Sequence, residues 1–165
     1  MNKKYIIFLD IDGVLASHKY LCSGKGYIDP EKVSLLNQLE GAEIVISSSW
    51  GYDDGKTEES LRKCGLKLPI IGYTDHYYEE WLCRGNEIEK WLRDNADGMG
   101  TKWGDEYLHK PYQNFDYEYV IFDDNEDFLL GQASHFIQTE EEYALTQEDI
   151  DKARKILKLD ENHSA

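Results

Sequence analysis

Tyr5-Ile-Ile-Phe-Leu-Asp-Ile-Asp-Gly-Val-Leu15 is the stretch from which the rest of the chain can be read. Tyr5 to Leu9 is apolar without interruption, as expected of a central parallel strand covered on both faces. Asp10 and Asp12 follow at once, two residues apart, so in extended chain both carboxylates project to the same side. Gly13 then lets the backbone turn away. The opening Met-Asn-Lys-Lys and the apolar run after it imitate the start of a signal peptide. The run stops at a charge with no small-residue cleavage site behind it, so it is read as a first strand.

Working outward, strands and helices alternate. Asp29-Pro30-Glu31 opens a helix, with Asp29 at the N-cap, Pro30 at the first helical position, and Val33, Leu36 and Leu39 as its apolar stripe. Ala42 to Ile46 is a second strand, Thr57 to Cys64 a short helix stopped at Gly65, and Pro69 to Gly72 a third strand. Gly85 to Asn95 carries Ile88, Trp91 and Leu92 at helical spacing. Tyr117 to Phe122 and His135 to Gln138 are the fourth and fifth strands, and a last helix runs from Thr146 to Leu159 with Ile150, Ala153 and Leu157 facing inward. The order implies an α/β fold: a parallel sheet of about five strands with helices on both faces. One domain over residues 1–165 is expected, decorated by a hairpin flap at about 16–28 and an irregular insertion at about 97–116, with no large cap domain.

Composition restricts the setting. Hydrophobic residues make up 41% and charged residues 31%, a globular balance, and no apolar run approaches the roughly 20 residues of a membrane span. Three cysteines, Cys22, Cys64 and Cys83, form no Cys-x-x-Cys pair, which argues against a disulfide framework or zinc site and for a reducing cytoplasm. The formal net charge of −15 disfavours sequence-independent binding along a nucleic-acid duplex, though it permits a local basic pocket for one phosphate. Nothing in the sequence calls for an obligate protein partner.

Ligands of open parallel sheets bind beyond the carboxyl ends of the strands. Four acids fall there: Asp10 and Asp12 after the first strand, Asp123 and Asp124 after the fourth. Brought together, like charges ~4 Å apart repel by ~4 kcal/mol per pair at an effective dielectric of about 20, so the cluster demands a cation or a proton. Oxygen-only ligands suit Mg²⁺.

These residues carry a resemblance. Phe8-Leu-Asp-Ile-Asp-Gly-Val-Leu15 resembles the first motif of the haloacid dehalogenase (HAD) superfamily, Val45-Ile-Ser47 the second, and Asp123-Asp124 the fourth. More narrowly, Ile46-Ser-Ser-Ser-Trp50, Arg84-Gly-Asn-Glu-Ile88 and Val120-Ile-Phe-Asp-Asp124 resemble the HAD domains of Swiss Army Knife RNA-repair proteins, from about Lys4 to Lys158. Gly51 departs from the pattern, since such proteins often carry Arg there.

The resemblance implies a Rossmann-like HAD fold and an Mg²⁺-dependent phosphatase acting through an aspartyl-phosphate on Asp10. It casts Asp12 as general acid and base, and Asp10, the main-chain carbonyl of Asp12, and Asp123 as metal holders. Ser47 is the expected phosphoryl donor as the first hydroxyl past the second strand, with Ser48 and Ser49 as rivals. Arg84 is expected to bind phosphoryl oxygens and orient Asp10, because a cation at a helix start opposes the helix dipole and needs a functional reason. Lys102 is the alternative cation. Asp124 and Asp127 are each candidates to hold a metal-bound water or to cap the following turn.

A near-capless site suits a bulky phosphorylated substrate, and a nucleotide or polynucleotide end is the expectation. The aromatic groups Tyr73, Tyr77, Tyr78, Trp81 and Trp103, Tyr107, Tyr112, Phe115 could stack bases or form the loops' own small cores. The alternatives are a small-metabolite phosphatase, a catalytically silent HAD-like binding module, and a receiver-type switch that is phosphorylated without turnover.

Overall fold

The computed structural model describes residues 3–52, 55–75, 83–96 and 116–160. Five strands form one sheet: β1 (Lys4–Leu9), β2 (Ala42–Ile46), β3 (Ile70–Tyr73), β4 (Tyr117–Asp123) and β5 (Phe136–Gln138). Their order is β3-β2-β1-β4-β5, and every pair is parallel. The expected Rossmann-like arrangement is therefore present, with β1 at the centre.

Both faces of the sheet are covered, which explains why β1 and β2 show no polar alternation. On one face Ile7, Leu9, Ile44, Ile46, Val120 and Phe122 pack with residues from α2 (Pro30–Leu36), α3 (Lys56–Lys63) and α5 (Gln147–Leu157). On the other, Ile6, Phe8, Val45 and Ile121 pack with Ile88 and Leu92 of α4 (Arg84–Asn95). Trp91 joins that second face, its ring edge-on to Phe8 at 5.6 Å. Adjacent β1 residues thus serve opposite cores, the period of two expected of a strand.

The helix starts follow the local chemistry. Asp29 caps α2 by accepting from the Glu31 amide, with Pro30 in the first turn. Thr146 and Asp149 form a reciprocal capping box at the start of α5. Gly65 (φ +94°) supplies the left-handed residue after α3.

The flap departs from expectation. It contains a short helix, α1 (His18–Cys22), rather than a hairpin. Ser17 caps α1 by accepting from the Tyr20 amide at 3.1 Å, and the His18 and Lys19 amides donate to the carbonyls of Glu141 and Glu142. A side chain that satisfies a free helical N–H favours the turn over an extended ladder. Most of the irregular insertion, Lys102 included, lies outside the described residues, as do Tyr77, Tyr78, Trp81, Trp103, Tyr107, Tyr112 and Phe115.

Candidate active site

The site is built at the carboxyl ends of β1, β2 and β4. Asp10 continues the sheet for one more residue, its amide donating to the Phe122 carbonyl at 3.0 Å. The chain then turns tightly: the amides of Val14, Leu15 and Ala16 all reach the Ile11 carbonyl. Gly13 takes φ +67°, and its carbonyl accepts from Thr139 Oγ1 at 2.8 Å. A Cβ at Gly13 would sit 2.4 Å from Asp124 Oδ2, so only glycine lets the loops after β1 and β4 approach this closely.

Three carboxylates converge. Asp10, Asp123 and Asp124 each offer an oxygen, all within 4.8 Å of one another. Asp10 and Asp123 are buried. Burial pushes the Asp10 carboxyl up to about 6, against the opposing pull of Arg84 and a hydrogen bond from Ser48. Burial also raises Asp123, to about 7, with the nearby Asp10 charge adding to it. At this separation each charged pair repels by roughly 3–4 kcal/mol at an effective dielectric of about 20. The donor set is three hard oxygens with no nitrogen or sulfur, which fits a small divalent cation such as Mg²⁺.

Asp12 stands apart from this cluster. Its two carboxylate oxygens are each taken by an aromatic donor: Tyr27 Oη donates to Oδ1 at 2.6 Å, and Trp50 Nε1 donates to Oδ2 at 3.1 Å. That contact pushes the Tyr27 phenol up to about 12, so it remains a donor at neutral pH. The side chain of Asp12 is thus no member of the carboxylate cluster.

The donors for an oxyanion come from β2 and α4. Ser47 extends β2, its amide donating to the Leu9 carbonyl at 2.9 Å, and its hydroxyl is buried with no hydrogen-bond partner among the described residues. Ser48 is committed elsewhere: its hydroxyl donates to Asp10 and accepts from the Trp50 amide. Ser49 begins the 3₁₀ turn Ser49–Tyr52 that carries Trp50. Arg84 is the first residue of α4, and its positive charge acts on both Asp10 and Asp123. Its Nη1 is buried with no hydrogen-bond partner among the described residues, while Nε lies 3.9 Å from Glu87 Oε2.

Arg84 is held by backbone contacts. Its amide donates to Asp127 Oδ2 and the Gly85 amide to the Asp127 carbonyl, both at 2.9 Å. Gln132 spans the same junction, donating to the Gly85 carbonyl and accepting from the Leu129 amide. A Cβ at Gly85 would meet the Leu129 nitrogen at 2.5 Å. Of the two open candidates after β4, Asp127 therefore caps α4, whereas Asp124 joins the carboxylate cluster.

Gly51, the departure from the expected Arg, lies against Tyr73. A Cβ there would be 3.1 Å from the Tyr73 ring, so a long side chain would have to displace it.

Sequence reasoning missed Tyr27, Trp50, Gln132 and Thr139 as parts of the site. Each acts through a contact between distant segments, for which the sequence carries no periodic or spacing signal.

A family model described as the HAD domain in Swiss Army Knife RNA repair proteins matches residues 6–150. No curated protein and no solved structure matches significantly. The matched span covers β2 to β5, all of β1 but its first two residues, and every carboxylate described above, and the chain belongs to this family of HAD domains.

Proposed function

We propose that this HAD domain is an Mg²⁺-dependent phosphomonoester hydrolase that works through an aspartyl-phosphate on Asp10. One observation carries the reading: a buried carboxylate, Asp10, shares its surroundings with two buried polar atoms that have no partner among the described residues, Ser47 Oγ and Arg84 Nη1. Buried polar groups are ordinarily paired, and a phosphoryl group would supply acceptor oxygens for both donors.

Asp10 attacks phosphorus, the bond to the leaving oxygen breaks, and Asp12 gives that oxygen its proton. Asp12, now ionised, takes a proton from the water that attacks the aspartyl-phosphate. Phosphate leaves and Asp10 is regenerated. Ser47 and Arg84 hold the phosphoryl oxygens through the transfer, and Ser48 fixes the Asp10 carboxylate through its hydrogen bond. Asp10, Asp123 and Asp124 would hold Mg²⁺, joined by the main-chain carbonyl of Asp12 that the family resemblance implies, and the ion would neutralise charge on the transferring group.

For substrate we infer a nucleotide or a polynucleotide end. The family's setting in RNA repair supports this, and so does a flap whose helix is only 5 residues long, too short to enclose a substrate by itself. The net charge of −15 opposes long nucleic-acid contacts and favours recognition of a terminus.

The test is a screen of phosphorylated nucleotides, sugars and oligonucleotide ends with Mg²⁺. Release of terminal phosphate from nucleotide or oligonucleotide is expected. No turnover of any ester would contradict the hydrolase reading, and a clear preference for sugar phosphates would contradict the substrate.

A further inference from the structure

Asp12 is the residue to which the proposed reaction gives the leaving group's proton, and its side chain is held more firmly than that task alone explains. Tyr27 comes from the flap and Trp50 from the turn after β2, so two separate segments meet on one carboxylate. Their rings also contact each other, with centroids 4.7 Å apart. Each donor is itself anchored. The Trp50 amide donates to Ser48 Oγ, and Thr57 Oγ1 donates to the Trp50 carbonyl. Two residues beyond Tyr27, the Asp29 amide donates to the Leu15 carbonyl at 2.8 Å, returning the flap to the β1 loop.

We propose that Tyr27 and Trp50 are positioning residues for Asp12, an aromatic clamp that fixes the plane of its carboxylate beside the leaving group. The proposal rests on the hydrolase reading above. A carboxylate has about four lone-pair sites, and the clamp occupies one on each oxygen, which leaves one per oxygen for the proton in transit. Tyr27 is 44% exposed, so the clamp lies where a leaving group enters, and the flap becomes a required part of the acid rather than a mere cover.

The test compares Tyr27→Phe and Trp50→Phe with the unaltered chain on two esters, an aryl phosphate with an acidic leaving group and an alkyl phosphate. An acidic phenol leaves without a proton, whereas an alkoxide needs one, so misplacing the acid slows phosphoryl transfer to Asp10 only from the alkyl ester. Hydrolysis of the aspartyl-phosphate is common to both, so the two are compared in kcat/KM, which reports the transfer step. General acids contribute ~10²–10⁴-fold, and a partial loss of ~10-fold or more in kcat/KM is expected on the alkyl ester. On the aryl ester kcat/KM should stay within a few-fold. Adding Tyr27→Phe to Asp12→Ala should cost nothing further, because the partner is already gone. Equal losses on both esters, or additive losses in the double variant, would overturn the clamp as a positioning device. Should the unaltered chain cleave neither ester, the hydrolase reading fails, and with it the catalytic use of the clamp. The indole N–H resonance of Trp50, assigned by its disappearance in Trp50→Phe, decides separately whether the clamp exists. It should shift in Asp12→Ala, and an unmoved signal would overturn the contact itself.

Discussion

Gly13 and Asp124 touch so closely that a single added carbon on the glycine would overlap the aspartate side chain, 2.4 Å from Oδ2 and 2.5 Å from the carboxyl carbon. The contact joins the loop after β1 to the loop after β4. It is what allows Asp124 to share a cluster with Asp10 and Asp123, and its cost falls on the backbone, since φ at Gly13 is +67°.

Gly13→Ala should therefore fail twice. A left-handed conformation costs a non-glycine residue ~1–2 kcal/mol, and the new methyl must push Asp124 out of the cluster. A fall in melting temperature of a few degrees is expected, at about 2–4 °C per kcal/mol for a chain of this size, together with weaker Mg²⁺ binding by calorimetry. A variant with unchanged Mg²⁺ affinity would contradict the role given to this contact.

Asp124 and Asp127 should separate cleanly. Asp127→Ala removes the cap on the Arg84 amide and should cost about 0.5–2 kcal/mol of stability while sparing Mg²⁺ affinity. Asp124→Ala should do the reverse, lowering Mg²⁺ affinity with little loss of stability in metal-free protein. Calorimetric titration beside thermal melts distinguishes the two, and an Asp127→Ala protein unable to bind Mg²⁺ would reverse the assignment.

In metal-free protein, stability should fall as pH rises toward neutrality. Asp10 and Asp123 titrate at about 6 and about 7 in the folded chain, above the ~3.9 of an unfolded aspartate. A group whose folded value is raised contributes stability fully below its unfolded value and loses it as pH climbs through the folded one. The loss should therefore span about pH 4 to 7. Saturating Mg²⁺ should remove most of it, since the cation stabilises the ionised forms. Denaturant titrations across that range with and without Mg²⁺ measure both slopes, and a metal-free protein most stable at neutral pH would contradict the buried-carboxylate account.

The fold was legible wherever local chemistry decided it. Tyr5–Leu9 and Ala42–Ile46 read as central strands because covered strands need apolar residues on both faces. Asp29-Pro30 and Thr146 announce helix starts because their side chains or ring geometry satisfy the first turn locally. The α1 helix was missed because none of its residues is buried, so it leaves no apolar periodicity. The clamp on Asp12 was missed because Tyr27 and Trp50 lie 15 and 38 residues away in sequence, and only the packed fold brings them together. Asp127 reads ambiguously in the sequence for the same reason: the helix it caps begins 43 residues earlier.

Asp10 is the residue on which the proposed function turns, and Asp10→Asn tests it most directly. The amide keeps the shape and burial of the side chain but cannot attack phosphorus. With Mg²⁺ and an aryl phosphate, kcat/KM should fall to below about a hundredth of the unaltered value, a loss exceeding ~2.7 kcal/mol of transition-state stabilisation. The melting temperature of metal-free protein should be unchanged or higher, because one of the repelling carboxylates is gone. A folded Asp10→Asn protein that keeps more than about a hundredth of the rate would remove Asp10 as nucleophile and contradict the account.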